Sequence, residues 1–262
     1  MQPEKYRRQL AEHLTQELSK LEGVLAVWEG GSAATETADQ YSDIDLCIMA
    51  SSEPEVVFAA LHQALGEEYP IAHIYHEPKT IWPDLTQKVY LLEGAPEHFL
   101  LDVAIFPESA TGILEEFLQQ ERHGNPVVHF DRSNRIQVKG ASAEEFAIRH
   151  RKKYEELVGV IPVYRALVAK ELDRGNTVDA LAFFHGGIVR PVVQLLGILH
   201  RPFRFDFGLR YLRRDLPAAE YNKIERMMYV STANDLRDRL VEMDALIAET
   251  SAAVANRLDR EE

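Results

Sequence analysis

Two aspartates separated by one residue are the part of this sequence best suited to chemistry. Asp43-Ile44-Asp45-Leu46 opens an apolar segment that is typical of a strand, and residues two apart on a strand face the same side. Adjacent carboxylates repel each other and raise each other's pKa unless a cation neutralises them. Mg²⁺ suits such a pair, because it binds one or two carboxylates and leaves positions for substrate phosphates and water. The pair therefore predicts a magnesium site.

A glycine-rich turn precedes the two aspartates. Gly30-Gly31-Ser32 follows the apolar strand predicted over 24–28. Glycine lets backbone N–H groups approach a phosphate without a Cβ in the way, especially where a helix begins just after the turn. We predict that Gly30, Gly31 and Ser32 bind nucleotide phosphates. An acidic pair beside a phosphate-binding turn indicates metal-dependent chemistry on a nucleotide.

These two motifs together resemble the signature of the DNA polymerase β-type nucleotidyltransferase superfamily. Ten residues separate Gly31-Ser32 from the Asp-hydrophobic-Asp-hydrophobic run at 43–46. The resemblance implies a third carboxylate on a later strand, and Asp102 within the apolar run 98–106 fits that role. It also implies two Mg²⁺ ions held by Asp43, Asp45 and Asp102, with a nucleoside triphosphate, expected to be ATP, as substrate. The alternative is that the first two acids are turn residues or a structural Ca²⁺ site and the third is an edge-strand charge.

A catalytic base would activate an acceptor hydroxyl. Glu77, Glu93 and Glu97 lie near predicted strand ends in the same half of the chain. We include Glu77 and Glu93 in the predicted catalytic set. The sequence does not rank these acids, because the base is not part of the shared motif.

A basic and aromatic segment between His200 and Pro217 is the second candidate for contact with the nucleotide. Its arginines alternate with phenylalanine and tyrosine, a combination that can hold phosphates and stack on a base. We predict that Arg204 and Arg210 bind nucleotide. The alternative is a short helix whose arginines face water and whose aromatic side chains enter the core.

The order of predicted elements indicates an α+β protein with two domains. Strands alternate with helices to about residue 138, and only helical patterns follow from 141. The resemblance implies a nucleotidyltransferase fold, a mixed sheet flanked by helices, over residues 1–140, and an all-α bundle that clamps substrate or nucleotide over 141–262. Ser142 and Glu145 predict a capping box at the first helix of the bundle. Pro162 and Pro191 are expected to kink or split the helices that contain them.

Charge and composition limit the partners of this chain. The formal net charge is −13; residues 1–140 hold 23 acids and 10 bases, and residues 141–262 hold 19 of each. A long nucleic acid needs a basic surface along its path, so we expect none as substrate. The acidic half favours a cationic small-molecule acceptor. The single cysteine, Cys47, indicates a reducing, cytoplasmic location; no signal peptide or membrane span is expected. The protein is expected to be a monomer or a homodimer.

Three functions follow from these observations. The size and domain order resemble the antibiotic nucleotidyltransferases, which implies transfer of AMP from ATP to a hydroxyl of an aminoglycoside or lincosamide. A second possibility is a nucleotidyltransferase acting on a protein or RNA partner, like the antitoxin members of the superfamily. A third is a nucleotide-binding relative without catalysis.

Overall fold

The computed structural model describes residues 2–78 and 84–260. The chain forms two compact units, Met1–Ala141 (unit 1) and Ser142–Glu262 (unit 2). Unit 1 combines a sheet with helices, and unit 2 is helical. The α+β fold class expected from the sequence is confirmed.

Unit 1 is built on a six-stranded mixed sheet. The strands are β1 (Val24–Glu29), β2 (Ile44–Ala50), β3 (Ile71–His76), β4 (Thr86–Leu92), β5 (Leu101–Pro107) and β6 (Val127–Asp131). Their order across the sheet is β3-β4-β5-β2-β1-β6. The β2–β5 pair is parallel, and the other described pairs are antiparallel. This arrangement places the two strands that carry the predicted carboxylates side by side at the centre of the sheet.

Helices pack on both faces of this sheet. On one face lie α1 (Pro3–Leu18) and α3 (Pro54–Leu65), whose apolar side chains share a core with Ile44, Leu46 and Leu101. On the other face, α4 (Thr111–Phe117) packs over a smaller core that includes Trp28, Cys47 and Phe106. Burial of a large apolar side chain contributes roughly 1.5–3 kcal/mol, so these two cores fix the sheet between them.

One predicted helix is interrupted in the structure. The sequence predicts a helix over 111–120, but α4 ends at Phe117 and a separate short helix, α5, spans Gln120–His123. The interruption arises because the backbone of Lys139 donates to the Leu118 carbonyl and accepts from the Gln120 N–H. A distant segment therefore takes hydrogen bonds that would otherwise continue the helix.

Two further short elements complete the fold around the predicted site: α2 (Gly31–Ala34) and the turn after it.

Unit 2 consists of helices joined by short turns. They are α6 (Ala143–Asp173), α7 (Thr177–Phe184), a π-helical turn (His185–Val189), α8 (Arg190–His200), a 3₁₀ turn (Pro202–Arg204), α9 (Leu212–Asp215), α10 (Ala218–Met228) and α11 (Ala233–Leu258). The Ser142 side chain accepts a hydrogen bond from the Glu145 N–H at 3.2 Å, as the capping box predicts.

The two prolines behave differently. Helix α6 continues through Pro162, so the predicted split does not occur there. Pro191 lies in the first turn of α8, directly after the π-helical turn. The backbone stays right-handed helical at Val189 and Arg190, so Pro191 lies within a continuous helical stretch. The wider π-helical turn before it is where the helix accommodates the proline.

One helical stretch has the length and apolar composition of a membrane span. The stretch is Thr177–His200, 24 residues long. It differs from the expectation from the sequence, which is that the chain has no membrane span. Of its most apolar window, 56% is buried inside the protein. Packing in the core explains its apolar composition equally well, so the stretch is weak evidence for a membrane.

Candidate active site

Two of the predicted carboxylates lie next to each other across the central strands. Asp45 on β2 and Asp102 on β5 are partners in the parallel register. Asp43 immediately precedes β2 and shares the parity of Asp45. Asp45 and Asp102 thus stand on the face that also carries Cys47, whose thiol they affect electrostatically. The pairing brings together acids that are 57 residues apart in the sequence.

The backbone of Gly31 packs directly against the Asp45 carboxylate. Its φ is +52°, a left-handed conformation that favours glycine. A Cβ placed on Gly31 would lie 1.7 Å from an Asp45 carboxylate oxygen and 2.5 Å from its carboxyl carbon. The backbone therefore approaches the acid more closely than any other residue type would allow. This explains physically why glycine precedes the serine of the motif.

The backbone N–H groups of the Gly30-Gly31-Ser32 turn differ in their hydrogen bonding. The Gly30 N–H donates to the Asp45 carbonyl at 2.9 Å, which extends the β1–β2 ladder. Helix α2 begins at Gly31, and its first internal bond runs from the Ala34 N–H to the Gly30 carbonyl. Helix geometry leaves the N–H groups of Gly31 and Ser32 without an intrahelical partner. These two N–H groups are the ones that could reach a phosphate, and nucleotide binding by Gly30, Gly31 and Ser32 stays a prediction.

Asp43 is fixed from two sides. Its carboxylate accepts a hydrogen bond from the Leu100 N–H at 2.9 Å, and its backbone carbonyl accepts one from Arg7 Nε at 3.1 Å. The first bond ties the acid to the residue before β5. The second ties its backbone to α1. Asp43 consequently has one carboxylate oxygen directed at the protein backbone in this structure.

A buried ion pair under the site was not predicted from the sequence, because no chemistry was assigned to α1. Arg7 also donates to the Glu29 carboxylate at 2.9 Å, and His129 contacts the other Glu29 oxygen at 3.0 Å. Glu29 is only 6% exposed, so its charge needs these partners. The available signal was an acid at the end of an apolar strand. The network links α1, β1 and β6 to the backbone of Asp43.

Gln87 is a second residue that sequence reasoning missed. Its side-chain amide lies 2.8 Å from both carboxylate oxygens of Asp102. In the β4–β5 register Gln87 faces Ala104, two residues from Asp102 and therefore on the same face. A donor that reaches both oxygens restricts the rotation of the carboxyl group. Gln87 thus orients Asp102.

Burial makes the acidic site costly to ionise. Desolvation raises the pKa of Asp43, with the Leu100 N–H opposing it. Desolvation also raises the pKa of Asp102; the Gln87 hydrogen bond opposes this, and the charges of Asp43 and Glu77 add to it. The buried Cys47 thiol has a pKa raised well above its ordinary value, first by burial and then by nearby acids. A cation beside these carboxylates would relieve the unfavourable charge.

The carboxylate oxygens of this site suit a hard divalent cation, but the acids are not arranged as a complete coordination sphere. Carboxylate oxygens are what Mg²⁺ prefers, and Asp45 and Asp102 are neighbours on one face. Within residues 2–78 and 84–260, however, no group of three His, Cys, Asp or Glu side chains is placed to hold a metal ion. Asp43 faces Leu100, and Asp102 faces Gln87. Binding through all three acids requires at least one of them to turn.

The three candidate bases lie in different parts of unit 1. Glu77 follows β3, its N–H donates to the Gln87 carbonyl, and its charge raises the pKa of Asp102. Glu93 lies past the opposite end of β4, where its N–H donates to the Pro70 carbonyl. Glu97 lines a small surface cavity of about 110 Å³ formed partly by the loop before β5. The position of Glu77 favours it over the others, and its role as base stays a prediction.

In unit 2, Arg204 and Arg210 have different surroundings. Arg204 donates to the Asp215 carboxylate at 2.8 Å. The Arg210 guanidinium lies 5.6 Å from the ring centres of Phe207 and Tyr211. Arg204 is therefore held by a structural ion pair, whereas Arg210 is exposed. Nucleotide binding by either residue stays a prediction.

Comparison with known proteins agrees with the geometry of unit 1. Residues 11–89 match the family model of the nucleotidyltransferase domain. This segment contains Gly31, Ser32, Asp43 and Asp45. Unit 1 contains a nucleotidyltransferase domain. The resemblance to the nucleotidyltransferase superfamily is thereby confirmed, and nucleotidyl transfer is the activity of this domain family. Asp102 lies outside the matched segment, so its place in the site rests on the β2–β5 pairing.

Two solved structures are similar to the whole chain at low identity. One is a nucleotidyltransferase-like protein from Exiguobacterium sibiricum, with 11% identity, a TM-score of 0.40, and coverage of 97% of this chain and 80% of that one. The other is a candidate nucleotidyltransferase from H. pylori, with 10% identity, a TM-score of 0.30, and coverage of 98% and 96%. TM-scores this low add nothing to the assignment. No curated protein matches the sequence.

Proposed function

We propose that this protein transfers a nucleoside monophosphate, AMP from ATP, to a hydroxyl of a small-molecule acceptor in a Mg²⁺-dependent reaction. The observation that carries the proposal is the pairing of Asp45 with Asp102 across β2 and β5, with Gly31 packed against the Asp45 carboxylate. Adjacent carboxylates next to an open phosphate-binding turn are the arrangement that such a reaction requires.

Each residue has a defined task in this proposal. Asp43, Asp45 and Asp102 would hold two Mg²⁺ ions once at least one of these acids has turned, and the ions would supply charge stabilisation at the reacting phosphate and its leaving group. The N–H groups of Gly31 and Ser32, with the Ser32 hydroxyl, orient the β- and γ-phosphates. Glu77 accepts the proton of the acceptor hydroxyl.

The acceptor class follows from charge. All of the net charge of −13 falls within residues 1–140, and Asp102 is near both Asp43 and Glu77. A negative surface attracts cations and raises their local concentration. We propose a cationic, hydroxyl-bearing acceptor of the aminoglycoside kind, with lincosamides as the second class to examine. The supporting argument is electrostatic.

The test measures pyrophosphate release from each nucleoside triphosphate with Mg²⁺ and a panel of aminoglycosides and lincosamides. We expect acceptor-dependent release, reduced at least about 100-fold by Asp45→Asn, because a lost metal ligand removes several kcal/mol of stabilisation and about 1.36 kcal/mol is tenfold in rate. Glu12→Gln, an exposed acid on α1, is the matched control and should behave as wild type.

The alternatives predict other results. Release that depends on a protein or RNA partner, with no response to antibiotics, would replace the small-molecule acceptor but keep the chemistry. Absence of metal-dependent nucleotide binding in the wild-type protein would contradict the proposed function altogether.

A further inference from the structure

Residues 201–216 of unit 2, here called the arginine segment, are rich in positive charge. This segment carries five arginines and two aspartates in a chain whose net charge is −13. The arginines are Arg201, Arg204, Arg210, Arg213 and Arg214. One of the two acids, Asp206, pairs outside the segment with Arg149 at 3.0 Å. The segment therefore holds more positive charge than its own acids neutralise.

The centre of the segment is the buried Asp215 carboxylate. Its side chain is 2% exposed, and three guanidinium groups surround it: Arg204 at 2.8 Å, Arg214 at 2.9 Å and Arg201 at 3.5 Å. The Arg201 side chain is itself 1% exposed and donates to the carbonyls of Gly208 and Arg210. One carboxylate neutralises one cation, so two positive charges remain in excess around a rigid anchor.

Tyr211 is held in a strained conformation at the surface of this cluster. Its φ is +62°, which is rare for an aromatic residue. It is 45% exposed, so burial does not compensate the strain. Its ring centre lies 4.6 Å from the Arg214 guanidinium and 5.6 Å from that of Arg210. Strain of this kind persists where the surrounding structure imposes it, often at ligand-binding sites.

Two arginines of the segment remain open to a ligand. Arg210 and Arg213 are exposed, and among the described residues neither forms an ion pair with a carboxylate. Like charges gathered at one place destabilise the fold unless an anion joins them. The planar guanidinium group binds phosphate oxygens through two parallel hydrogen bonds. The segment thus combines excess charge, a fixed anchor and open donors.

We propose that the arginine segment is a phosphate-binding site that takes the triphosphate chain of a nucleotide without requiring a metal. Arg210 and Arg213 are the residues that contact phosphate, and Arg214 contributes from beside Tyr211. Arg201 and Asp215 position the segment and touch no ligand. The inference goes beyond the proposed function, because it depends on none of the carboxylates of unit 1.

The test is titration calorimetry of the full chain in EDTA with two probes, ATP and inorganic tripolyphosphate. We expect both probes to bind, and the double variant Arg210→Ala/Arg213→Ala to weaken both at least tenfold. The matched control is Arg190→Ala/Arg260→Ala, which removes two exposed arginines elsewhere in unit 2 and should leave binding unchanged. Lysine at positions 210 and 213 should restore part of the affinity, since it keeps the charge but loses the paired donors.

The possible outcomes separate this inference from the proposed function. Asp45→Asn should reduce nucleotidyl transfer at least about 100-fold and leave metal-free binding intact. Equal binding by wild type and the double variant would overturn the inference, as would binding of ATP but not tripolyphosphate. Binding of an oligonucleotide with no binding of either probe would also overturn it. Melting temperatures of all variants, compared with wild type, identify any that fail to fold.

Discussion

At the scale of single residues, two contacts position the candidate acids. Gly31 packs against the Asp45 carboxylate in a left-handed backbone conformation that other residues rarely adopt. Gln87 reaches both oxygens of Asp102. One contact sets where the turn lies relative to an acid, and the other sets how a second acid is rotated. Each therefore makes a separate prediction.

Replacing Gly31 with alanine should remove activity by displacing Asp45. The added Cβ would fall 1.7 Å from the carboxylate oxygen, so the turn or the acid must move. A displacement of about 1 Å at a reacting centre can cost on the order of 100-fold in rate. Nucleotidyl transfer and Mn²⁺ affinity of Gly31→Ala should both fall by this order. The control is Gly112→Ala in α4, where a Cβ meets no atom within 4 Å; wild-type behaviour of both variants would contradict the prediction.

Replacing Gln87 with alanine should weaken metal binding while the fold remains. Gln87 stabilises ionised Asp102 against burial, and loss of a hydrogen bond to a metal ligand typically costs about 10–100-fold in affinity. Calorimetric titration with Mn²⁺ measures the change. Gln16→Ala, an exposed position on α1, serves as the control. An unchanged Mn²⁺ affinity in Gln87→Ala would show that Asp102 needs no orientation by Gln87.

At the scale of elements, contacts at helix and strand ends position the candidate acids in unit 1. A similar contact closes a turn in unit 2. Helix α1 reaches the site through Arg7, which joins the Asp43 carbonyl to buried Glu29. In unit 2, the turn between α6 and α7 is closed by Glu171, which accepts from the Asn176 side chain at 2.7 Å and from Arg174 at 3.0 Å. Both Glu29 and Glu171 are acids at the end of an element, and each is held by partners outside that element.

The Glu171 turn should make unit 2 sensitive to acid. Its hydrogen bond from Asn176, helped by Arg174 and Lys170, lowers the pKa of Glu171 below its ordinary value of 4.5. A lowered carboxyl pKa contributes stability above the unfolded pKa, and this stability is lost as the pH falls through the folded pKa. Glu171→Gln should therefore have a lower melting temperature than wild type at pH 7.

The difference between wild type and Glu171→Gln should shrink as the pH falls below about 4.5. Thermal unfolding of both proteins over a pH series from neutral to acid measures it. Glu155→Gln, an exposed acid on α6, should show no such difference at any pH. A gap that stays constant with pH would mean that the Glu171 charge does not contribute.

At the scale of the whole molecule, charge separates the two halves of the sequence. The first 140 residues carry all of the net charge of −13, and the remainder is balanced. A binding site for a nucleic acid needs a row of lysines and arginines along the phosphate backbone. The arginine segment is a compact cluster within 16 residues rather than such a row.

We accordingly expect no stable complex with a long nucleic acid. Fluorescence anisotropy with a labelled RNA of about 20 nucleotides at about 150 mM salt should show no binding, since a backbone contact must overcome the repulsion of the acidic half. Tight binding that weakens steeply with added salt would contradict this expectation. It would also move the acceptor from a small molecule to RNA.

Local sequence patterns are sufficient to predict the fold class, most helix and strand positions and the face on which the acids stand. These features follow from periodicity, since residues two apart on a strand must share a side. Parity along the strand thus places Asp43, Asp45 and Cys47 on one face. The helical period predicts a helix over residues 233–258, and these residues form α11. The glycine-serine turn is recognisable because glycine is required where the backbone meets an acid or a phosphate.

The distant residues that support these acids became evident only from the packing of the folded chain. Gln87 on Asp102, Arg7 on Asp43 and Leu100 on the Asp43 carboxylate are contacts between separate elements. The fold also shows that the Gly30 N–H belongs to the sheet and that Arg201 is buried. Local periodicity does not specify strand order or register, and hydrogen-bond partners across strands depend on both. For that reason the family and the candidate acids could be recognised from the sequence, while the residues that position those acids could not.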